Sequence, residues 1–290
     1  MDVAIGLPNA VSGTTRQQLL DWARTAENAG FSSLGTIDRI VYPNYEPLIA
    51  LSAAAAVTER IRLATTVMLG PLRVNAALVA KQVLSLDAIA GGGRAVLGIG
   101  LGGRDDDYRV SHLSLSGRGA WQDRAVAQIR RIFDGAAADA DEAKIGPRPR
   151  GSGPSLVIGG SVAAAFRRAA THGDGWIMGG GTPDQFADGA REVQAAWSEQ
   201  GRDGQPHNMA LAYFSLGDDA EPNADHYLLD YYAFLGERLS GMIAGSAAKD
   251  ADTARAYVAA FENAGCDELV MFPCSADSAQ VELLAAALGR

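Results

Sequence analysis

Residues Arg94–Arg104 read RAVLGIGLGGR, and the reading of this stretch decides the fold. Ala95, Val96, Leu97 and Ile99 form a buried strand that dissolves into glycine. The same event recurs in LATTVMLGP at 63–71, LVIGGS at 156–161 and GWIMGGG at 175–181. Strands that end repeatedly in glycine, small or polar residues build a floor of strand ends on which a ligand can sit.

Working outward, strands are predicted at 3–7, 32–37, 61–68, 155–158, 175–178, 209–216 and 268–272, besides the opening stretch. Helical spacing is predicted over 14–30, 46–58, 75–90, 118–133, 161–172, 183–200, 224–243, 253–264 and 278–288. Eight strands alternating with helices in 290 residues, without a compositional break, predict one (β/α)8 TIM barrel domain over 1–290. A doubly wound sheet of five to seven strands is the alternative. In a barrel the active site lies at the C-terminal strand ends, where all four transitions fall. Two segments stand apart: a long polar loop at 104–116, and an Ala, Asp, Gly and Pro-rich segment at 135–154 that is expected to be exposed and mobile.

The totals exclude several functions. The net charge is −9 with no basic stripe, so no nucleic acid is expected as a partner. The longest apolar run, 48–57, is too short to span a bilayer, so no membrane is expected. The start of the chain shows a strand pattern rather than a leader, and Cys266 and Cys274 make neither a disulfide framework nor a metal site. A cytoplasmic location is the expectation.

The chemistry-bearing residues are few. Gly98, Gly100 and Gly103 match G-x-G-x-x-G, but that fingerprint belongs at the first strand-to-helix turn and needs a helix at once; here a polar loop follows the fourth strand. A Rossmann-type NAD(P) reductase therefore stays only as an alternative. Gly159, Gly160 and Ser161 lie between a strand and a helix, which suits an anion site or, equally, a plain N-cap. Asp38 and Arg39 close the second strand, as a pocket pair or a surface ion pair. Thr65, Thr66, Val67 and Met68 close the third. Of the four histidines only His112 falls near the predicted site, and none has metal-ligand spacing with another. Asp105–Asp107 read as a solvated run. With no evident proton-transfer or metal apparatus, the pattern suits an enzyme whose cofactor carries the chemistry.

At this point AGFSSLGTIDR at 29–39, the block TERIRLATTVMLGPLRVNAALVAKQVLSLDAIAGGGRAVLGIGLG at 58–102, IGGS at 158–161 and HGDGWIMGG at 172–180 resemble the bacterial luciferase-like flavin and deazaflavin oxidoreductases. The resemblance covers most of residues 1–180; beyond Asn208 only the strand and helix pattern and AGCDELVMF at 264–272 agree. It implies a flavin- or deazaflavin-dependent oxidoreductase or monooxygenase acting on a small organic substrate, with FMN or deazaflavin (coenzyme F420) as cofactor. O2 and a separate flavin reductase are the expected partners of the oxygenating option.

The resemblance also implies residue roles. The ring would lie on a bulge at Thr66, Val67 and Met68 with a cis peptide at Thr66–Val67, beside Gly100, Leu101, Gly102 and Gly179. The phosphate would sit on Gly159, Gly160 and Ser161. From their location alone, at the end of the second strand and in the loop after the fourth, Asp38, Arg39, Tyr108 and His112 would position substrate. Two departures matter. The family's second strand commonly ends Asp-His, and here it ends Asp38-Arg39; Arg39 could bind an anionic substrate or hold Asp38, but it is a poor general acid. Gly103-Arg104 stands where sugar-phosphate dehydrogenases of the deazaflavin type carry glutamate, which disfavours that chemistry. A cofactor-free binding or partner barrel is the rival reading. The apolar helices at 47–57 and 78–90 fit a homodimer face and ordinary barrel packing equally.

Overall fold

The computed structural model describes residues 1–136 and 144–290. Eight parallel strands close into a barrel in sequence order: β1 (Asp2–Gly6), β2 (Ser33–Thr36), β3 (Arg62–Leu69), β4 (Ala95–Gly100), β5 (Ser155–Gly159), β6 (Gly175–Met178), β7 (His207–Phe214) and β8 (Glu268–Pro273). The register closes the ring, with Val3 opposite Leu269 and Leu34 opposite Leu63. This is the TIM barrel expected from the glycine-ended strands, and it removes the doubly wound alternative.

The helices on the outside start where the sequence offers a cap. Thr15 and Gln18 form a capping box for α1 (Arg16–Asn28). Pro47 opens α2 (Pro47–Ala55), where its missing N–H leaves nothing unpaired. The Asn75 side chain accepts from Leu78 N to start α3 (Ala76–Ile89). Two further elements follow β4, α4 (Asp105–Val110) and α5 (Arg118–Phe133). Then come α6 (Ala163–His172), after β5, and α7 (Pro183–Glu199), after β6. The chain ends with α8 (Ala220–Tyr231), α9 (Glu237–Gly245), α10 (Ala251–Asn263) and α11 (Ala279–Ala287).

Three expectations are corrected. The loop at 104–116 contains the helix α4, and its Asp107 is buried rather than solvated. The single helix predicted over 224–243 is two helices, because the backbone turns through a short 3-10 segment (Ala233–Leu235) to Gly236 at φ 82°. The expected mobile segment at 135–154 falls partly on residues 137–143, which lie outside the described residues.

Two apolar cores divide the work. One lies between sheet and helices and includes Trp22, Leu34, Leu63, Leu97, Leu156 and Phe186. The other fills the barrel with Ala4, Ala64, Val96, Val157, Ile177, Met209 and Val270, and continues upward through Phe272 and Tyr213. The alternation of strand side chains produces both from the same strands. At the N-terminal end of the barrel, Glu268 is fully buried. It accepts hydrogen bonds of 2.6 Å from both the Ser32 and Ser33 hydroxyls, with His207 Nε2 at 3.2 Å and the Arg62 guanidinium at 3.5 Å. Burial alone would raise its pKa; the bonds from His207, Ser32 and Ser33 and the Arg62 charge overcome that and lower it to about 2.

Both cysteines are free and buried, and burial pushes the Cys266 thiol up to about 12. Among the described residues no helix is long and apolar enough to cross a membrane. Ile49, Leu78 and Ile89 stay exposed on α2 and α3.

Candidate active site

The floor of the cleft at the C-terminal strand ends is built by a bulge in β3. Its register against β4 shifts between Thr65 and Met68, and the Thr66–Val67 peptide is cis, where the resemblance placed it. Val67 is lifted onto the floor. It is flanked by glycines: a Cβ on Gly100 would lie 2.9 Å from Val67 Cγ2, and one on Gly159 2.8 Å from Val67 Cγ1. A Cβ on Gly102 would lie 2.8 Å from Leu69 Cδ2. These glycines therefore admit the β3 side chains, and only indirectly a ligand. Gly179 is different: nothing lies within 4 Å of the position its Cβ would take.

Three cavities meet around Gly179. The first, of about 440 Å³, is bounded by Val67, Gly100–Gly102, Gly159–Ser161, Arg118 and Arg168. It brings together the residues expected at a cofactor, and adds two arginines that no motif announced. Arg118 Nη1 donates to the Gly102 carbonyl at 2.9 Å, and Arg168 pairs with Asp123 and donates to Gly119 O. Beside Ser161, the N-cap of α6 is Val162, whose side chain offers no acceptor to the first-turn N–H groups. Uncapped amides, two guanidinium groups and glycine backbone make a cradle for an anion such as a phosphate.

The second cavity, about 180 Å³, lies over Thr66 and Val67 and is walled by Asp38, Arg39, Arg104, Tyr108 and the tyrosines of β7 and α8. Asp38 is held by Leu69 N and Arg73, each at 2.8 Å; burial outweighs the Arg73 charge and raises its pKa. Arg39 donates to Tyr231 O at 3.1 Å and Val41 O at 2.6 Å, lies over the rings of Tyr42 and Tyr231, and has Asp106 at 3.6 Å. Arg104 grips Asp106 at both carboxylate oxygens and lies 3.8 Å from the Phe234 ring centroid. Asp107 accepts from Ile40 N and Val41 N at 3.0 and 2.7 Å, so α4 anchors the loop after β2. The Tyr108 hydroxyl donates to Leu101 O, and burial raises its pKa.

Two expected residues stand elsewhere. Met68 is fully buried in the sheet–helix core, because the bulge turns it outward. His112 is exposed at the end of α4 with φ 55° and lines none of the three cavities. Among the described residues no cluster of His, Cys, Asp or Glu could hold a metal.

The third cavity, about 410 Å³, lies behind the Tyr213–Tyr232 pair, whose hydroxyls are 2.7 Å apart. Burial raises both phenol pKa values, so both stay protonated in the neutral range.

Comparison with known proteins fits this geometry. The structure is similar over 99% of its length to 98% of a monooxygenase, RslO1, from Streptomyces bottropensis, with a TM-score of 0.82 at 20% identity, a likeness of fold. An uncharacterised protein of Mycobacterium tuberculosis (strain ATCC 25618 / H37Rv) is 34% identical over 193 residues, which span 57% of this chain and 66% of the relative. An F420-dependent glucose-6-phosphate dehydrogenase of Beutenbergia cavernae is 32% identical over 57% of this chain and 53% of its own length. The family of luciferase-like monooxygenases matches residues 1–265, and the chain belongs to that family.

Proposed function

We propose that the chain binds a reduced isoalloxazine-type cofactor, flavin or deazaflavin, across the strand ends and uses it in a redox reaction of a small organic substrate. The observation that carries this reading is the group of three cavities that meet at Gly179. It joins a Val67 floor, open above and backed by glycine, to an uncapped helix terminus flanked by Arg118 and Arg168. A flat group with an anionic tail fits that sequence of surfaces. The F420-dependent relative and the family's monooxygenase chemistry support the same cofactor class.

Bound there, a reduced ring would supply two electrons, as hydride to a substrate or one at a time to O2. The chain's own residues do the rest. Val67 supports the ring, and Gly159–Ser161 with Arg118 and Arg168 hold the phosphate. Arg39, Arg104 and the tyrosines line the opposite wall and exclude water. Arg104 occupies the wall with its partner Asp106, where no glutamate is offered to a sugar phosphate. No histidine lines the three cavities, and protonated Tyr213 and Tyr232 are among the hydroxyls that hold protons beside them.

Titrating the purified chain with FMN and with the deazaflavin, oxidised and reduced, while following absorbance tests the reading and separates the two cofactors. Saturable binding of one of them is expected. Failure of both to bind refutes it.

A further inference from the structure

The cleft around Gly179 has two halves on its substrate side, and they differ in chemistry. The chamber behind Tyr213 and Tyr232 has Leu211, Ile243 and Phe261 on its wall and no charged side chain. Its side-chain hydroxyls are already engaged. Tyr213 and Tyr232 bond each other, Tyr257 donates to Ser246 O, Ser246 Oγ donates to Ile243 O, and Thr182 Oγ1 accepts from Gln185 N. The rest of the wall is apolar, so an apolar body gains there, whereas a charged group would lose its hydration with no opposite charge to meet.

The half over Thr66 and Val67 carries charges that cancel. Arg39, Arg73 and Arg104 face Asp38, Asp106 and Asp107, and every one of these is paired within 4.0 Å with an opposite charge. What the pairing leaves over is hydrogen-bonding capacity. Arg39 Nε, Arg104 Nη1, Asp38 Oδ1 and Asp107 Oδ2 are buried without a partner, and all four residues line this half. Arg39 is 7% exposed. Unpaired buried donors and acceptors of this kind call for a complementary group. An anion here would meet the Asp38 and Asp107 carboxylates on the same wall as the two arginines, so the anionic substrate considered for Arg39 is disfavoured.

We propose that the cleft takes an uncharged, amphipathic substrate: an aryl or branched alkyl body in the chamber behind Tyr213 and Tyr232, and a carbonyl or hydroxyl oxygen at Arg39 and Arg104. The proposal rests on the cofactor reading only in that the substrate is placed beside the ring; its binding surfaces belong to the chain.

The test uses the full chain and two probes of nearly equal shape, benzylacetone and hydrocinnamate, which differ by a methyl ketone against a carboxylate. Affinities are read by calorimetry. Benzylacetone is expected to bind at least ~10-fold tighter than hydrocinnamate. Ile243→Trp, which fills the chamber, is expected to weaken benzylacetone by ~10-fold or more. Ala53→Trp, in the apolar groove between α1 and α2, is expected to leave it unchanged. Thermal unfolding checks that each variant folds; Ala212→Leu, on the same chamber wall, is the second variant with the same expectation. The proposal is overturned if hydrocinnamate binds as tightly as benzylacetone, if neither binds, if filling the chamber changes nothing, or if Ala53→Trp is the variant that removes binding. FMN and deazaflavin titrations of the same proteins report separately on the cofactor reading. A chain that binds neither cofactor but keeps the probe ranking fails that reading alone.

Discussion

Arg118→Met separates a phosphate site from a cleft that merely accepts flat molecules. Methionine keeps an unbranched apolar stem and removes the guanidinium, whose carbon lies 5.9 Å from the Tyr108 ring centroid. Arg118 lines the cavity with Gly159–Ser161, and its Nη1 already donates to Gly102 O at 2.9 Å, which fixes the guanidinium before any ligand arrives. A hydrogen bond to a charged group contributes about 1.5–3 kcal/mol net, so its loss should weaken a phosphate-bearing ligand about 10- to 150-fold. Riboflavin has the same ring without the phosphate, and its affinity should change less than about 2-fold from the loss of a distant charge. The ratio of the two affinities matters more than either one. Losing the Gly102 tether would loosen the floor and weaken both ligands together, whereas a lost phosphate contact weakens FMN alone. Flavin fluorescence quenching at two salt concentrations measures both dissociation constants. If the chain takes deazaflavin, the same comparison uses the cofactor and its phosphate-free core. Equal losses for both ligands, or no loss for either, would refute the phosphate assignment.

Other outcomes follow from the same geometry. Gly179→Leu should abolish cofactor binding with an unchanged melting temperature, because the new side chain enters the junction of all three cavities and meets no protein atom near its Cβ; retained binding would show that the three are not one site. Gly100→Ala should weaken FMN and riboflavin by equal factors, since the added methyl presses on Val67 at 2.9 Å rather than on the phosphate end; a selective loss of FMN would contradict this. Glu268 should make the fold acid-sensitive. Its folded pKa of about 2 lies below the usual 4.5, so its stabilisation is complete above 4.5 and is lost as pH falls towards 2. Between about pH 5 and about pH 3 the wild type should lose roughly 2 kcal/mol more than Glu268→Gln in urea unfolding. Parallel pH curves would remove Glu268 as the cause.

The barrel was legible because its strands announce their ends. LVIGGS and GWIMGGG each pass from apolar to glycine within one or two residues of the observed termini of β5 and β6. The helix DDDYRV was not legible, because six mostly polar residues carry no apolar period; α4 exists through Asp107, which binds two backbone amides of a loop that lies far away in sequence. Met68 was misplaced for a related reason. The resemblance put Thr66, Val67 and Met68 together at the ring, but the bulge after Thr65 reverses the later faces of the strand, which leaves Val67 towards the cleft and sends Met68 to the sheet–helix core. Arg118 and Arg168 escaped notice because they lie on α5 and α6, far apart in sequence, and only closure of the barrel brings both to one cavity.

The β4 glycines gain a more specific meaning from this bulge. A Cβ on Gly98 would collide with the Thr65 carbonyl oxygen, one on Gly100 with Val67 and one on Gly102 with Leu69. Each alternate position of β4 thus meets the next alternate position of β3, so the G-x-G-x-G pattern is the complement of a neighbouring strand that has been pushed sideways. Gly159 on β5 meets Val67 from the other side. Gly98, Gly100, Gly102 and Gly159 therefore serve three residues of one strand, and the product is a half-buried valine flanked by glycine backbone. Gly103 and Gly179 differ from these, since a Cβ there would meet no protein atom within 4 Å. A nucleotide-binding loop would spend its glycines on bringing its own amides to a pyrophosphate. Here the amides that suit a phosphate belong to α6, and the glycines of the fourth strand shape the floor proposed for the ring.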